Sequence, residues 1–247
     1  VGDVLHERSQ LIVNTPESFA KLTGAEVQTG IEVTALNREE KKVTARNVKT
    51  GEAAEYSYDK LVIATGASPI APPIEGKDLK NIFFMRTPQD AEDLRKAVEA
   101  GKIKRAVIAG GGFIGLEVAE NLMSRGIRTT VIDMAPHIMP GFDPEMAEYV
   151  EDYLADNGIM AMTNTRLEGV EGTESVEKVK TSRRAIKADA VLMSLGIRAN
   201  TAFLEGTVLE MAQNRTILDD VHFRPEYPDS YALVDCSMYP GPVTGTR

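Results

Sequence analysis

The amino-acid sequence predicts an α/β fold that contains a doubly wound, mainly parallel sheet. Strand-like and helix-like segments alternate through the middle of the chain, from Thr87 to Leu195. A glycine-rich turn joins an apolar strand to a helix with an apolar face at the centre of that stretch. Alternation of strands with helices favours parallel strands joined by crossover helices. A β-meander is predicted before this middle region, so we expect a second fold unit.

The first region predicts one short helix followed by the β-meander. Thr15 suits an N-cap, and Pro16 fits the first helical position because its missing N–H costs nothing there. Segments that alternate between apolar and polar residues within residues 25–58 are typical of antiparallel strands. The apolar run Leu61–Ala64 predicts a buried strand.

The middle region begins after prolines at positions 69, 72 and 73, which disfavour helix and predict an extended crossing. Thr87 and Asp143 each precede a proline and mark helix starts. The predicted elements are a helix over 88–100, strand Arg105–Ala109, helix Phe113–Arg125, strand Thr129–Asp133, a helix from Pro144 to Asn157, and a last strand Ala190–Leu195.

The last region is too short to fold alone. Strand signals occur around Thr216–Leu218 and Ser230–Leu233. We therefore predict three segments: residues 1–67 as part of a first domain, residues 68–196 as an inserted α/β domain, and residues 197–247 as the segment that returns to the first domain.

Composition and charge exclude several classes of protein. The 247 residues are 43% hydrophobic, and acidic residues outnumber basic ones by 37 to 28, which gives a net charge of −9. This charge disfavours nucleic acid as a partner, because a phosphate backbone repels an acidic surface. No apolar stretch is long enough to span a bilayer and no signal-peptide pattern opens the chain, so we expect a cytoplasmic protein without a membrane partner.

Residue types that bind metals or carry redox chemistry are few. The single cysteine, Cys236, excludes an intrachain disulfide and is expected to be a small buried residue. The histidines, at positions 6, 137 and 222, lack the spacing of a metal site, so no metal is predicted. Methionines are expected to fill the core, including Met160, Met162 and Met193.

The glycine turn fits the pattern G-x-G-x-x-G, which binds the pyrophosphate of a dinucleotide where it joins a strand to a helix. Gly110 permits the tight turn, Gly112 lets the backbone approach the phosphates, and Gly115 lets the helix pack closely on the strand. The amides that start the helix favour an anion. The alternative is a turn kept for close packing alone. Candidate binding residues are Gly110, Gly111, Gly112, Phe113, Ile114 and Gly115.

An acidic residue ends the next strand. Asp133 lies 18 residues beyond Gly115, where its carboxylate can accept hydrogen bonds from the 2′- and 3′-hydroxyls of an adenosine ribose. A 2′-phosphate would bring negative charge against Asp133, and the following Met134–Pro136 offers no arginine, with His137 a weak substitute. The sequence therefore predicts NAD(H) in preference to NADP(H).

Five segments occur in a specific order along nearly the whole chain. They are Glu7–Leu11, Thr15–Phe19, Leu61–Pro69, Gly110–Glu117 and Leu195–Thr201. Together they resemble the pyridine nucleotide-disulfide oxidoreductase family, in its coenzyme A-disulfide reductase and NADH oxidase branch. The ordered set is more specific than any one motif.

The resemblance implies an enzyme in which a Rossmann-like NAD(P)H domain is inserted into an FAD domain. Hydride would pass from the nicotinamide through FAD to a disulfide or polysulfide, or to oxygen or peroxide. The return from the NAD domain would fall at Gly196 and Ile197, and Glu117 would lie near the nicotinamide. An ordinary solvated helix glutamate is an equal alternative for Glu117.

The resemblance also implies which residues meet the flavin cofactor. Val33 corresponds to a meander strand whose backbone contacts the FAD adenine, with plain meander core as an equal alternative. Asp235 corresponds to an aspartate that holds the flavin ribityl chain. The remaining implied FAD contacts are Ala64, Thr65 and Gly66.

The sequence departs from that family in ways that limit the expected activity. The relatives' FAD-binding glycine turn, redox cysteine and C-terminal dimerisation domain are absent, so we expect a fragment that binds nucleotide and turns nothing over alone. Val234 stands where the family has a glycine and adds a Cβ where backbone and flavin come close, which disfavours FAD binding by this chain alone. For the intact protein the resemblance implies bound FAD and a homodimer. The alternative is a non-catalytic nucleotide-binding or redox-sensing module.

Overall fold

The computed structural model describes Gly2, residues 7–241 and Gly245. The chain divides into two compact units. The middle unit comprises Pro69–Gly196 and the described residues up to Leu11, and the flanking unit comprises Ile12–Ser68 and the described residues from Ile197 onward. The histidine at position 6 lies outside the described residues.

The described residues form four α-helices, seventeen strands and three short 3₁₀ helices. The α-helices are α1 (Pro16–Thr23), α2 (Pro88–Glu99), α3 (Phe113–Ser124) and α4 (Pro144–Asp156). The strands are β1 (Ile31–Asn37), β2 (Lys42–Asn47), β3 (Ala53–Ser57), β4 (Leu61–Ile63), β5 (Ala67–Pro69), β6 (Ile82–Phe83), β7 (Arg105–Ala109), β8 (Arg128–Ile132), β9 (Met160–Met162), β10 (Leu167–Glu171), β11 (Lys178–Thr181), β12 (Ala185–Lys187), β13 (Ala190–Met193), β14 (Ile197–Ala199), β15 (Ile217–Leu218), β16 (Ser230–Ala232) and β17 (Ser237–Met238). The 3₁₀ helices are Arg8–Leu11, Ala202–Leu204 and Val234–Cys236.

The middle unit is built on a five-stranded sheet with the strand order β6-β13-β7-β8-β9. Every neighbouring pair is parallel. Helix α3 connects β7 to β8, and α4 connects β8 to β9, as crossovers between parallel strands require. The predicted parallel α/β fold is therefore confirmed, and β7 has the bounds that the sequence predicted.

The two faces of this sheet are covered differently. Successive side chains of a strand point to opposite faces, so Ile108 packs with Leu122 of α3 and Leu154 of α4, whereas Val107 packs with Val179 of β11. Helices thus cover one face, and the antiparallel sheet β10-β11-β12 covers the other. The sequence pattern had not assigned that antiparallel sheet.

Threonine-proline pairs start two of the helices, as predicted. The Ser18 amide donates to Thr15 Oγ1 at 3.2 Å, and the Thr15 amide donates to Ser18 Oγ at 2.8 Å. Thr87 and Asp90 make the same reciprocal pair at the start of α2. Each pair satisfies two amides that the helix itself leaves without partners.

The flanking unit contains the predicted β-meander, with β1, β2 and β3 antiparallel to one another in that order. Strand β4 pairs in parallel with β16. The core of this unit includes Ile63, Leu204, Ile217 and Cys236, all at most 3% exposed. The expectation that Cys236 is a small buried residue is confirmed.

Two apolar side chains are more exposed than the sequence predicted, and a third exposed one lies in the first turn of α3. Val62, in the strand expected to be buried, is 55% exposed because it points away from the core that Ile63 enters. Met160 is 52% exposed because β9 is the edge strand of the parallel sheet. Ile114 is 47% exposed because the first turn of α3 lies at the carboxyl edge of the sheet. Met193, by contrast, is buried.

Candidate nucleotide site

The glycine turn lies between the end of β7 and the start of α3, as predicted. Gly110 has φ +109°, and a Cβ there would lie 2.1 Å from the carbonyl oxygen of Ser194. The Gly110 amide donates to the Ile132 carbonyl at 2.8 Å. Since both the backbone angle and the contact forbid a side chain, only glycine permits this turn.

Two further glycines of the turn differ in what surrounds them. A Cβ on Gly115 would lie 2.1 Å from the Gly110 carbonyl oxygen, so this glycine permits the close approach of α3 to the turn. A Cβ on Gly112 would meet no atom within 4 Å. Gly112 is also the N-cap of α3 and provides no side-chain cap. The first amides of α3 therefore adjoin open space, where an anion is favoured.

The carboxylate of Asp133 is held by two backbone amides. The Gly111 amide donates to Asp133 Oδ2 at 2.7 Å, and the Ala135 amide donates to Oδ1 at 2.8 Å. The Asp133 amide donates to the Met162 carbonyl at 3.0 Å, and the Thr165 amide donates to the Asp133 carbonyl at 2.7 Å. These four bonds fix the carboxylate beside the glycine turn, with lone pairs left for further donors.

The loop after Asp133 packs against the same turn. The Met139 amide donates to the Gly111 carbonyl at 2.8 Å. The Ile138 amide donates to Glu151 Oε1 at 3.0 Å. Ile138 is buried, and a Cβ on Gly111 would lie 2.8 Å from its Cγ2 atom. The loop and the glycine turn therefore form one packed surface.

A cavity of about 850 Å³ opens at the carboxyl edge of the parallel sheet. In α/β sheets of this kind, ligands bind at that edge. The carboxyl ends of β13, β7, β8 and β9 follow one another in that order along this edge of the sheet. The lining residues are Pro72, Pro73, Ile74, Ala109, Gly110, Gly112, Ile132, Asp133, Met134, Ala135, Pro140, Thr165, Arg166, Leu167, Glu168, Ser194, Leu195 and Gly196.

Part of the predicted site lines this cavity, and part does not. Gly110, Gly112, Asp133 and Gly196 line it. Gly111 and Gly115 are buried within the turn and shape it from behind. Phe113 and Glu117 instead line a separate groove of about 420 Å³ between α3 and α4. Ile114 is exposed, and Ile197 begins β14 in the flanking unit.

The segment after β9 was missed by the sequence analysis. Thr165, Arg166, Leu167 and Glu168 line the cavity, although no motif marks them. Arg166 Nη2 forms an ion pair with Glu168 Oε1 at 2.9 Å. The signal that could have found them is the strand order, because β9 beside β8 must bring its carboxyl end next to Asp133.

The residues implied for FAD belong to the flanking unit. Asn200 Nδ2 donates to the Thr65 carbonyl at 3.0 Å, and the Asn200 amide donates to the Gly66 carbonyl at 2.9 Å. Ala64 and Asp235 are exposed, and Val33 is 36% exposed, so Val33 is not plain core. These groups are accessible to a ligand.

Val234, which precedes Asp235, departs from the glycine that the resemblance implies at this position. It has φ +58°, in the left-handed region, and its side chain is 68% exposed. A β-branched residue in this conformation is strained. The backbone of Val234 thus has a conformation that glycine adopts without strain. Its exposed side chain occupies space that a glycine would leave open.

The described residues provide neither a metal cluster nor a membrane-spanning helix. Within the part of the chain that the structure describes, no three His, Cys, Asp or Glu side chains lie together in a way that could hold a metal ion. None of the helices formed by residues 7–241 is long and apolar enough to cross a bilayer.

A parallel sheet with a glycine turn after its central strand and an aspartate after the next defines a Rossmann-like α/β unit. The chain belongs to the pyridine nucleotide-disulphide oxidoreductase family, whose sequence profile matches residues 2–245. The resemblance stated from the sequence is therefore confirmed.

Two curated relatives illustrate the branch. An NADH oxidase of Methanocaldococcus jannaschii is 34% identical over 238 residues, which cover 96% of this chain and 53% of the relative. A coenzyme A disulfide reductase of Staphylococcus aureus is 29% identical over 235 residues, which cover 95% of this chain and 52% of the relative. The chain thus spans about half the length of these relatives.

Two solved structures of one enzyme are also similar. The water-forming NADH oxidase of Lactobacillus brevis bound to NADH superposes with a TM-score of 0.88 at 29% identity, covering 96% of this chain and 52% of that chain. An engineered NADPH oxidase made from it, bound to NADPH, gives a TM-score of 0.86 at 28% identity over 96% of this chain and 52% of that chain. Its substitutions replace a glycine, an aspartate 18 positions later, the two residues after that aspartate, and a proline seven positions beyond it.

Proposed function

We propose that this chain is the NADH-binding portion of a flavin-dependent oxidoreductase. One observation supports the proposal most strongly. The open space around Gly112 and the carboxylate of Asp133, which two backbone amides hold in place, belong to one cavity at the carboxyl edge of the parallel sheet. In this proposal the middle unit is an NAD(P)H domain inserted into an FAD domain, with boundaries close to residues 68 and 196.

The residues of the cavity fit a dinucleotide. The amides at the start of α3, at Gly112 and Phe113, would receive the pyrophosphate, because they lack acceptors within the helix. Asp133 would accept hydrogen bonds from the adenosine ribose hydroxyls. Gly196, at the other side of the cavity, would adjoin the nicotinamide half. NADH supplies a hydride when bound, and the chain's own groups bind and orient it.

We propose that NADH is preferred to NADPH. The carboxylate of Asp133 would repel a 2′-phosphate, which carries about −1.5 to −2 charges near pH 7. The engineered NADPH oxidase supports this choice, since the spacing of its substituted glycine, aspartate and proline matches that of Gly115, Asp133 and Pro140.

The family also implies FAD, and the flanking unit fits FAD only in part. Val33, Ala64, Thr65, Gly66 and Asp235 would contact the cofactor in the intact protein. Val234, however, places a side chain in front of the backbone where the resemblance implies a glycine. We therefore propose that this chain alone does not retain FAD.

The electron acceptor and the assembly belong to the intact protein. The relatives named above act on coenzyme A disulfide or are NADH oxidases, so we propose a small disulfide or oxygen as the acceptor. We further propose a cytoplasmic homodimer for the intact protein. The present chain alone should bind nucleotide and turn nothing over.

Calorimetry with NADH on the folded chain tests the proposal. We expect saturable binding of one NADH per chain, and weaker binding of NADPH. With FAD added, the same sample should consume no NADH in the presence of coenzyme A disulfide or oxygen. Absence of NADH binding to folded protein would refute the binding function, and measurable turnover would refute the proposed limit.

A further inference from the structure

The cavity carries a second charged feature beside Asp133. Thr165 is 1% exposed, and its amide donates to the Asp133 carbonyl at 2.7 Å. The next residue, Arg166, lines the same cavity. Arg166 therefore directly follows Thr165, a hydrogen-bond partner of Asp133. It lies at the side of the cavity where we propose that the adenosine half of the nucleotide binds.

The backbone of Arg166 is fixed. Its amide donates to Ser182 Oγ at 3.0 Å, and its carbonyl accepts from the Ser182 amide at 2.9 Å. Its side chain is 66% exposed and its guanidinium contacts Glu168 Oε1 at 2.9 Å. Arg166 is thus anchored at its backbone, while its side chain is exposed and pairs with Glu168.

The charges of the cavity lining are unbalanced. Among the lining residues, Asp133 and Glu168 carry negative charge and Arg166 carries positive charge. A guanidinium is the side chain best suited to bind phosphate, because it presents several N–H donors in a plane. Glu168, 37% exposed, engages that guanidinium before any ligand does.

We propose that Arg166 and Glu168 together determine the choice between NADH and NADPH. This inference rests on the proposed function of the site. Arg166 is the cation that would bind a 2′-phosphate, and Glu168 competes with the phosphate for its guanidinium. Selection against NADPH therefore depends on both carboxylates, Asp133 and Glu168. Asp133 contributes repulsion, and Glu168 withholds the available positive charge.

Glu168→Gln is the primary test, because it removes the competing charge and keeps the shape. We expect NADPH affinity to rise about three- to tenfold, as befits a partly exposed ion pair, and NADH affinity to change less than about twofold. NADPH binding by the variant should also weaken more steeply with added salt than that of the wild type.

The double variant Arg166→Gln with Glu168→Gln removes the cation as well. It should return NADPH affinity to the wild-type value or below, because nothing remains to receive the phosphate. Glu171→Gln is the matched control, since Glu171 ends β10, does not line the cavity and pairs with Lys178 at 4.0 Å. This control should leave both affinities unchanged.

Calorimetry with NADH, and displacement of NADH by NADPH, separate the outcomes. If NADH binds and Glu168→Gln leaves the ratio of the two affinities unchanged, or if the double variant keeps the gain, the role of the pair is refuted while the proposed function stands. If the folded wild type binds neither nucleotide, both are refuted.

Discussion

The amide of Gly111 donates a hydrogen bond to the carboxylate of Asp133 at 2.7 Å. The aspartate that follows β8 and the glycine turn that follows β7 are therefore joined directly by a hydrogen bond. The carboxylate has two tasks, since it holds the turn and faces the cavity where a ribose would bind. Substitutions at Asp133 should consequently affect both stability and nucleotide affinity.

Asp133→Ala should weaken NADH binding at least about tenfold, because hydrogen bonds to a charged acceptor contribute about 1.5–3 kcal/mol. The free energy of unfolding should fall by about 1–3 kcal/mol, because two amides lose their acceptor. Calorimetry and denaturant titration measure the two effects. Asp152→Ala, at an exposed position of α4, is the control and should change neither quantity. An unchanged NADH affinity in Asp133→Ala would contradict the site.

A combined substitution should reverse the preference between the two nucleotides. In Asp133→Ala with Met134→Arg, a repelling carboxylate is lost and a cation is gained at a cavity-lining residue that is 74% exposed. We expect the ratio of NADH to NADPH affinity to fall at least about tenfold, which corresponds to a change of about 1.4 kcal/mol in relative binding free energy. Met146→Arg, at a 53% exposed position outside the cavity, should leave the ratio unchanged. A ratio that stays the same in the double variant would argue against an adenosine ribose at Asp133.

Asp189 joins β13 to β7 and should make stability depend on pH. Burial alone would raise the pKa of Asp189, but the Arg105 guanidinium and the amides of Lys104 and Arg105 together lower this pKa below its ordinary value. Because the folded pKa is the lower one, the unfolded chain binds more protons in acid, and stability rises with pH.

The test compares the wild type with Asp189→Asn. The wild type should be more stable by about 1–3 kcal/mol at pH 7. That advantage should shrink as the pH falls below about 4, through the unfolded pKa toward the lower folded one. Asp78→Asn, whose side chain is 85% exposed, should show no such dependence. Denaturant midpoints of the two proteins, measured between pH 3 and pH 7, test this prediction. A difference in stability between them that stays constant across that range would contradict a role for the Asp189 carboxylate.

Val234→Gly should stabilise the protein. The left-handed conformation costs a β-branched residue about 1–2 kcal/mol, whereas glycine adopts it freely and loses about 0.5–1 kcal/mol to greater freedom of the unfolded chain. A net gain of about 0.5–1 kcal/mol is expected in thermal or denaturant unfolding. Val48→Gly is the control, because Val48 is 58% exposed and lacks a positive φ, and it should destabilise. A loss of stability in both variants would show that Val234 is not strained.

Local signals predicted the elements whose determinants lie within a few residues. The Thr-Pro pairs at Thr15 and Thr87 located two helix starts, and the apolar run Arg105–Ala109 gave the central strand with its observed bounds. The positive φ of Gly110 and the place of Asp133 followed from one motif. These features depend on backbone chemistry that a short sequence already specifies.

Features that depend on strand order could not be predicted in the same way. Met160 is exposed because β9 lies at the edge of the sheet, and nothing in its sequence states that position. Arg166 and Glu168 line the cavity because β9 lies next to β8, a contact between segments about 30 residues apart. Side-chain patterns report which face is apolar, whereas neighbours in a sheet are set by the whole fold.

The open space around Gly112 is the proposed site of the NADH pyrophosphate. Gly112→Ala adds a Cβ that meets no protein atom within 4 Å, so the variant should fold with nearly wild-type stability. Gly110→Ala is the contrasting variant, because its Cβ would lie 2.1 Å from the Ser194 carbonyl oxygen at φ +109°, and it should lose folded stability.

A fluorescence titration with NADH on wild type and Gly112→Ala, both confirmed to be folded, tests this claim most directly. The account predicts saturable binding by the wild type and a loss of at least about tenfold in affinity in the variant, since a Cβ at this position would keep the phosphates from the amides. Equal NADH affinity in the two folded proteins would contradict it.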